Sequence, residues 1–287
     1  MNEIKIDSYS KINLTLNILS KREDGYHEIE TIMQSINLAD KVIITKTRDD
    51  EGIIIKCNHS QVPVDNQSLA YKSAEKILKK YGIEKGVKIE IDKKIPLASG
   101  MAGGSANSAT ILVGLNKVFD LGLNNKELRG IGEELGMDVP FCIQNGTALA
   151  YQRGEKITPL SPIFPPLWIV VINPGIRIST QWAYFNLNLK QAKNKKNHTK
   201  NMLKALNKGS PQEIAKNLYN SFEGLVIKTF PEIGDIKDNL INKGALGALM
   251  SGSGSTVFGI AQNEKEAISI YKKLKQRYNL IWVVHTI

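Results

Sequence analysis

The chain has 287 residues, 42% of them apolar, enough for a substantial core in one large domain or two ordinary ones. Its longest purely apolar run, residues 167–172, falls far short of the roughly 18 residues of a membrane span. Residues 1–14 alternate polar and apolar side chains like a strand, not a signal peptide. Cys57 and Cys142 are too few for a disulfide framework and read as two reduced thiols of a cytoplasmic protein, and the net charge of +10 points to nucleic acid or to phosphorylated ligands.

In chain order, Ile12, Leu14, Leu16 and Ile18 have the period of a strand. Ala70, Ala74, Ile77, Leu78 and Tyr81 have helical spacing, and Val87, Ile89 and Ile91 mark another strand. A helix follows on the face Ile111, Leu112, Leu115, Val118 and Phe119. A further helix spans 125–135, with Asn125 as its cap and Gly136 as its stop. Four prolines in residues 159–166 exclude helix interior and central strand, and place a domain boundary there, giving 1–158 and 159–287. Beyond it come a strand at 167–172, helices at 212–228 and 231–242, a strand-like 254–261, a helix at 264–278 and a last strand at 280–286. That last strand is free to return to the first domain's side. Strands and helices mixed without regular βαβ alternation argue for an α+β fold in both halves.

The charge is concentrated at Lys190, Lys193, Lys195, Lys196 and Lys200, with no acid between residues 187 and 200. No aromatic side chains interleave with it, as they would in a single-strand binder. It reads as a solvated, mobile loop, and nucleic acid is disfavoured as a partner.

The most informative stretch is Pro96-Leu97-Ala98-Ser99-Gly100-Met101-Ala102-Gly103-Gly104-Ser105-Ala106, between a strand and a helical pattern that begins after Ser105. Its small residues let backbone approach a ligand, and the first amides of the following helix bind phosphate. It matches neither G-x-x-x-x-G-K-[ST] nor G-x-G-x-x-G. Alone it could be a glycine linker or a tight strand–helix turn. A second small-residue loop, residues 247–256 with Ser251-Gly252 at its core, is by itself most simply a hairpin turn. On the first strand Lys11 and Asn13 share a face, able to hold phosphate charge and a substrate oxygen, or simply to meet solvent. Asp138, between Gly136 and Val139-Pro140, sits in an apolar setting where a buried carboxylate needs a partner, or else fixes a turn.

Together these motifs resemble the galactokinase, homoserine kinase, mevalonate kinase and phosphomevalonate kinase (GHMP) superfamily over nearly the whole chain. Within it, Asp24-Gly25-Tyr26-His27 soon after Lys11-Ile12-Asn13 looks like the branch acting on 4-diphosphocytidyl-2-C-methyl-D-erythritol in non-mevalonate isoprenoid synthesis. Asp138-Val139-Pro140, Gly146-Thr147-Ala148, Arg153-Gly154-Glu155-Lys156 and residues 249–254 are similar too. The resemblance implies a two-domain architecture with the active site in the interdomain cleft. It also implies an ATP- and Mg2+-dependent phosphorylation of a hydroxyl on a cytidyl-diphosphate substrate. Asp138 matches the catalytic base, with Lys11 keeping it charged and steadying the hydroxyl. Residues 96–106 match the nucleotide phosphate loop, and Asn66 and Lys93 fall near the adenine pocket. Asn13, Tyr26, His27, Tyr184, Ser251 and Gly252 fall on the substrate side. His27 reads as a cytosine contact, since His59, His198 and His285 show no metal-ligand spacing. Three positions depart from the family pattern: Met101 for Leu, Ala106 for Ser and Ser255 for Pro. The alternatives are a GHMP-type kinase for another small alcohol, and a non-catalytic relative that binds nucleotide or nucleic acid. Monomer and homodimer both stay open.

Overall fold

The computed structural model describes residues 1–48, 51–189 and 197–287. Lys190, Lys193, Lys195 and Lys196 lie outside the described residues. The described chain divides into two compact units, each built from three stretches: Met1–Ser10, Leu38–Ile95 and Ala102–Asn145 in the first, and Lys11–Asn37, Pro96–Met101 and Gly146–Ile287 in the second. Two long strands, β1 (Glu3–Lys21) and β2 (His27–Lys46), contribute to both units.

In the first unit β2 pairs antiparallel with β4 (Val87–Asp92), from Lys41 opposite Asp92 to Lys46 opposite Val87. β3 (Ile53–Cys57) runs parallel to β4. The period-two residues Val87, Ile89 and Ile91 are buried as their alternation predicts. Helix α1 (Leu69–Lys80) starts where the Ser68 side chain accepts the Tyr71 N–H, and it buries Ala70, Ala74, Ile77 and Leu78. It packs against α2 (Gly103–Phe119), where Ser73 and Ser108 share a buried hydroxyl hydrogen bond of 2.6 Å. α2 begins at Gly103, earlier than the sequence pattern suggests, so the glycine loop itself supplies the first turn.

The cap of α3 (Asn125–Glu133) is Asn124, not Asn125. Glu127 decides between the two: it sits three residues after Asn124 and reaches back to the Asn124 N–H, completing a capping box. α4 (Val139–Gln144) is a short helix with no expectation from sequence. It has Pro140 in its first turn and is buried against α2 and α3.

In the second unit the strand order is β6 (Lys156–Pro159), β5 (Thr147–Gln152), β2, β1 and β8 (Tyr219–Asn220). A separate sheet has the order β11 (Ile281–His285), β7 (Trp168–Ile172), β10 (Val257–Ala261) and β9 (Gly247–Met250). The helices here are α5 (Thr180–Asn186), α6 (His198–Lys208), α7 (Pro211–Lys216), α8 (Glu223–Thr229), α9 (Pro231–Asn242) and α10 (Glu264–Leu274). α9 covers β9 and β10, and α10 covers β7, β10 and β11. Lys200 is exposed in the first turn of α6.

The single helix expected at 212–228 is two helices with a strand between them. Tyr219 and Asn220 pair in parallel with Thr15 and Leu16, a distant partner that overrides local helical spacing. α10 ends at Leu274, short of the expected 278. The proline-rich stretch joins β6 to β7 within the second unit. The last strand pairs with β7, and the Ile287 N–H donates to the Ser35 carbonyl. Cys57 and Cys142 are not joined in a disulfide. Among the described residues no helix is long and apolar enough to cross a membrane. The mixed sheets and helices are those of an α+β fold.

Candidate active site

In the first unit β4 leads through Lys93 and Ile95 toward the glycine loop, and α2 leads away from it. Ala102 occupies the N-cap of α2 at φ +56° with no side-chain cap, and the first turn holds no acidic residue. The amides of Gly103, Gly104 and Ser105 and the positive end of the helix dipole thus make a terminus suited to an anion. A Cβ on Gly103 would meet Ile95 Cγ2 at 3.0 Å and Lys93 Nζ at 3.1 Å, whereas one on Gly104 would meet nothing within 4 Å. Gly103 is therefore dictated by packing beneath the loop, and Gly104 leaves room above it. Ala106 is buried, so its methyl packs inward.

Asp138 is half-buried at the N-cap of α4, and its side chain does not cap that helix. Two residues earlier, a Cβ on Gly136 would lie 3.9 Å from Ser105 Oγ. The first unit thus brings the turn before Asp138 alongside the start of α2. Asn66 is exposed in the turn before α1. The Lys93 side chain is only 4% exposed, and its ammonium binds Asp40 and Asn107.

In the second unit the other half of the loop, Pro96–Met101, meets two further motifs. The Lys11 N–H donates to the Met101 carbonyl at 3.2 Å. Lys11 Nζ donates to Asn13 Oδ1 at 2.7 Å, and Asn13 Nδ2 to Thr31 Oγ1 at 2.8 Å. With Lys11 5% and Asn13 3% exposed, this face of β1 is not a plain solvent face.

Residues 251–256 form the turn of the β9–β10 hairpin, as the simple reading of that loop has it. The turn also locks onto the phosphate loop. Ser251 Oγ donates to the Gly100 carbonyl at 3.0 Å, and the Thr256 N–H to the Ser99 carbonyl at 3.2 Å. Gly100 has φ +76°, and a Cβ there would sit 2.1 Å from the Ser251 carbonyl oxygen. Ala98, at φ +47°, holds a left-handed conformation that costs an alanine about 1–3 kcal/mol. Ser99 Oγ is buried with no hydrogen-bond partner among the described residues.

The hairpin turn is braced by side chains that sequence reasoning missed. Asn220 Nδ2 donates to the carbonyls of Met250 and Gly252, both at 2.8 Å. Asn173 Nδ2 donates to Thr256 Oγ1 at 2.9 Å, and Thr180 and Ser253 share a bond of 3.0 Å. Nothing local distinguishes Asn220 in the sequence, because its role depends on β8 lying beside β1.

Three of the expected substrate residues also gather in this unit. The His27 and Tyr184 rings stack with centroids 4.9 Å apart at 24°, and Tyr184 meets buried Phe222 edge-on at 4.9 Å. Tyr26 is half-exposed, with the Arg153 guanidinium 5.2 Å from its ring centroid. The Tyr26 N–H donates to Asp24, which Arg22 also binds, so the β1–β2 turn is held from within. Burial, then the positive charge of Lys21, lowers the His27 imidazole below its ordinary pKa.

The second unit thus fixes residues 96–101 of the loop against the Lys11–Asn13 pair. The first unit by itself sets the anion-suited start of α2 beside the turn before Asp138. The model of the GHMP kinases N terminal domain matches residues 68–146, and that of the GHMP kinases C terminal matches residues 202–280. The chain belongs to the GHMP kinases. A 4-diphosphocytidyl-2-C-methyl-D-erythritol kinase of Acetivibrio thermocellus is 42% identical over 287 residues, covering 100% of both chains. One from Shouchella clausii is 43% identical over 283 residues, covering 98% of this chain and 94% of its own. Among solved structures, a 4-(cytidine 5'-diphospho)-2C-methyl-D-erythritol kinase superposes with a TM-score of 0.84 at 30% identity, covering 99% of each chain. A homoserine kinase from Cytophaga hutchinsonii, with a TM-score of 0.80 at 21% identity and coverage of 100% and 95%, shares the fold. As a GHMP kinase the chain is a small-molecule phosphotransferase.

Proposed function

We propose that this chain uses ATP to phosphorylate a free hydroxyl of 4-diphosphocytidyl-2-C-methyl-D-erythritol, in the non-mevalonate synthesis of isoprenoid precursors. One observation carries the substrate beyond the kinase class. Tyr184 lies far along the sequence from Tyr26 and His27, yet its ring stacks on His27, and the Tyr26 ring stands beside the Arg153 guanidinium in the same unit. A pyrimidine needs flat apolar surfaces and a few polar atoms, and these residues offer both. The relatives from Acetivibrio thermocellus and Shouchella clausii, and the solved structure at 30% identity, carry the same activity in their names.

The residues fit a nucleotide. The uncapped start of α2, the open space at Gly104 and the orphaned Ser99 hydroxyl are donors and room that a triphosphate would use. Residues 96–106 are proposed to hold the phosphates. Asn66 would lie at the adenine edge with the backbone near Lys93. Bound with the nucleotide, Mg2+ would supply charge neutralisation to its phosphates. Among the described residues no three His, Cys, Asp or Glu side chains are grouped to hold a metal ion.

In the proposed reaction the substrate hydroxyl gives its proton to Asp138. The freed oxygen pair bonds to the γ-phosphorus, and the bond to the bridging oxygen breaks to release ADP. Lys11, steered by Asn13, would stabilise the charge that develops. Ser251 and Gly252 would keep the substrate side of the loop in place.

The test is ADP release against a panel of alcohols: 4-diphosphocytidyl-2-C-methyl-D-erythritol, mevalonate and homoserine. The cytidyl compound should be turned over with by far the highest kcat/KM. Preference for either of the others would overturn the substrate assignment.

A further inference from the structure

We infer that Asp40 is a positioning residue for the phosphate loop, a single buried carboxylate that clamps both stems of that loop. Asp40 is 0% exposed, on the face of β2 that also carries buried Leu38, Val42 and Ile44. A carboxylate on an apolar face must find partners. Asp40 finds four. Its Oδ1 accepts the N–H of Lys94 at 2.7 Å and of Ile95 at 2.9 Å, the two residues that carry the chain from β4 into the loop. Its Oδ2 pairs with the Lys93 ammonium and accepts Asn107 Nδ2 at 2.9 Å.

Asn107 stands in α2, on the far side of the loop. Its own amide ties the cluster further, with Oδ1 accepting Lys93 Nζ at 3.2 Å and Nδ2 donating to Ser8 Oγ at 3.0 Å. Above this cluster lies Gly103, where any Cβ would crowd the Lys93 ammonium. The height of the first α2 amides above the sheet is thus set by the Asp40–Lys93 pair. A shift of the pair would move the donors that meet phosphate.

This rests on reading residues 96–106 as the nucleotide loop, and its test needs no alcohol substrate. Three full-length variants are titrated with ADP. Asp40→Leu/Lys93→Met removes both charges together, so no lone charge is buried, and it also removes the acceptor for Lys94 and Ile95. Asp40→Asn/Lys93→Met removes the charges but keeps a carbonyl for those two amides. Asn107→Ala keeps the ion pair and removes the helix-side bonds to Asp40, Lys93 and Ser8, carrying the test where a double variant does not fold.

Displacing donors by about an ångström typically costs on the order of 10- to 100-fold, and a loss of that size in ADP affinity is expected for Asp40→Leu/Lys93→Met. The Asn version should recover part of it, and Asn107→Ala should show a smaller loss. In steady state KM for ATP should rise while KM for the alcohol holds, a split that general destabilisation would not give. Wild-type ADP affinity in the folded Leu/Met or Asn107→Ala chain overturns the inference. Absence of ADP binding by the wild type overturns the loop reading on which it stands. Failure to turn over the cytidyl substrate, with ADP binding intact, touches only the proposed substrate.

Discussion

Asp138 and Lys11 are proposed as base and partner, and they make unequal demands on the chain. Asp138→Asn keeps shape and hydrogen bonding but loses the basic oxygen, a change that costs general-base catalysis about 10²–10⁴-fold. Lys11→Ala removes a cation whose loss typically costs about 10²–10³-fold, and it leaves Asn13 Oδ1 without its donor. If the two act together, the double variant should be little slower than the slower single one. Single-turnover phosphorylation beside ADP titration checks this, and near wild-type turnover in Asp138→Asn would remove the base assignment. His27 gives a pH signature. Because burial lowers its folded pKa, the unfolded chain takes up a proton first as pH falls. Stability owed to neutral His27 is complete above about pH 6.5 and is lost as pH drops through the lower folded value. The thermal midpoint of the wild type should therefore fall more steeply below that pH than that of His27→Gln. Parallel profiles would show that the stack on Tyr184 does not depend on the neutral ring. Most of these residues are visible in the sequence because they sit in short motifs. Asp40 was missed from the sequence, although a signal was there: it interrupts an apolar period-two run from Ile36 to Ile44, where a carboxylate needs a hidden partner.

At the scale of elements, local signals carried far where neighbours in sequence decide the outcome. α1, α9 and β4 match their spacing because one face of each is apolar at a single period, and β7 because its whole run, buried on both faces, is apolar. The short α4 and the split between α7 and α8 were not legible: six residues give too little periodicity, and β8 is set by Thr15 and Leu16. The adjacent asparagines at the start of α3 are separable by experiment. Asn124→Ala should destabilise the chain by about 0.5–2 kcal/mol, and Asn125→Ala by much less, in urea unfolding. Equal effects would mean that the capping box does not control this end. Asn220→Asp replaces two donated hydrogen bonds with an acceptor facing two carbonyls. Leaving buried carbonyls unsatisfied costs about 1–3 kcal/mol each, so a similar loss should appear in the same assay. A neutral result would mean that the late loop holds its shape without that bracket.

For the molecule as a whole, a net charge of +10 creates a field that suits a substrate and a nucleotide rich in phosphate. The Debye length is about 10 Å at 0.1 M salt, so such steering fades as ionic strength rises. kcat/KM for the cytidyl substrate should fall with added salt while kcat changes little, because salt screens the long-range encounter and not the chemistry of the bound complex. A flat kcat/KM would show that capture does not use the field.

The interleaving of the two units bears on how the chain leaves the ribosome. All of the first unit lies within residues 1–145, so that unit has its full complement of residues when about half the protein has been made. The second unit does not. Its early stretch, Lys11–Asn37, carries Ile12, Leu14 and Leu16, yet the two-residue strand that pairs with Thr15 and Leu16 is synthesised some two hundred residues later. At about 5–20 residues per second, a nascent chain holds that apolar ribbon without its final neighbour for about ten seconds or more. Holdase chaperones that bind extended apolar segments would find their target there, and would have to release it only when residues 219 and 220 emerge.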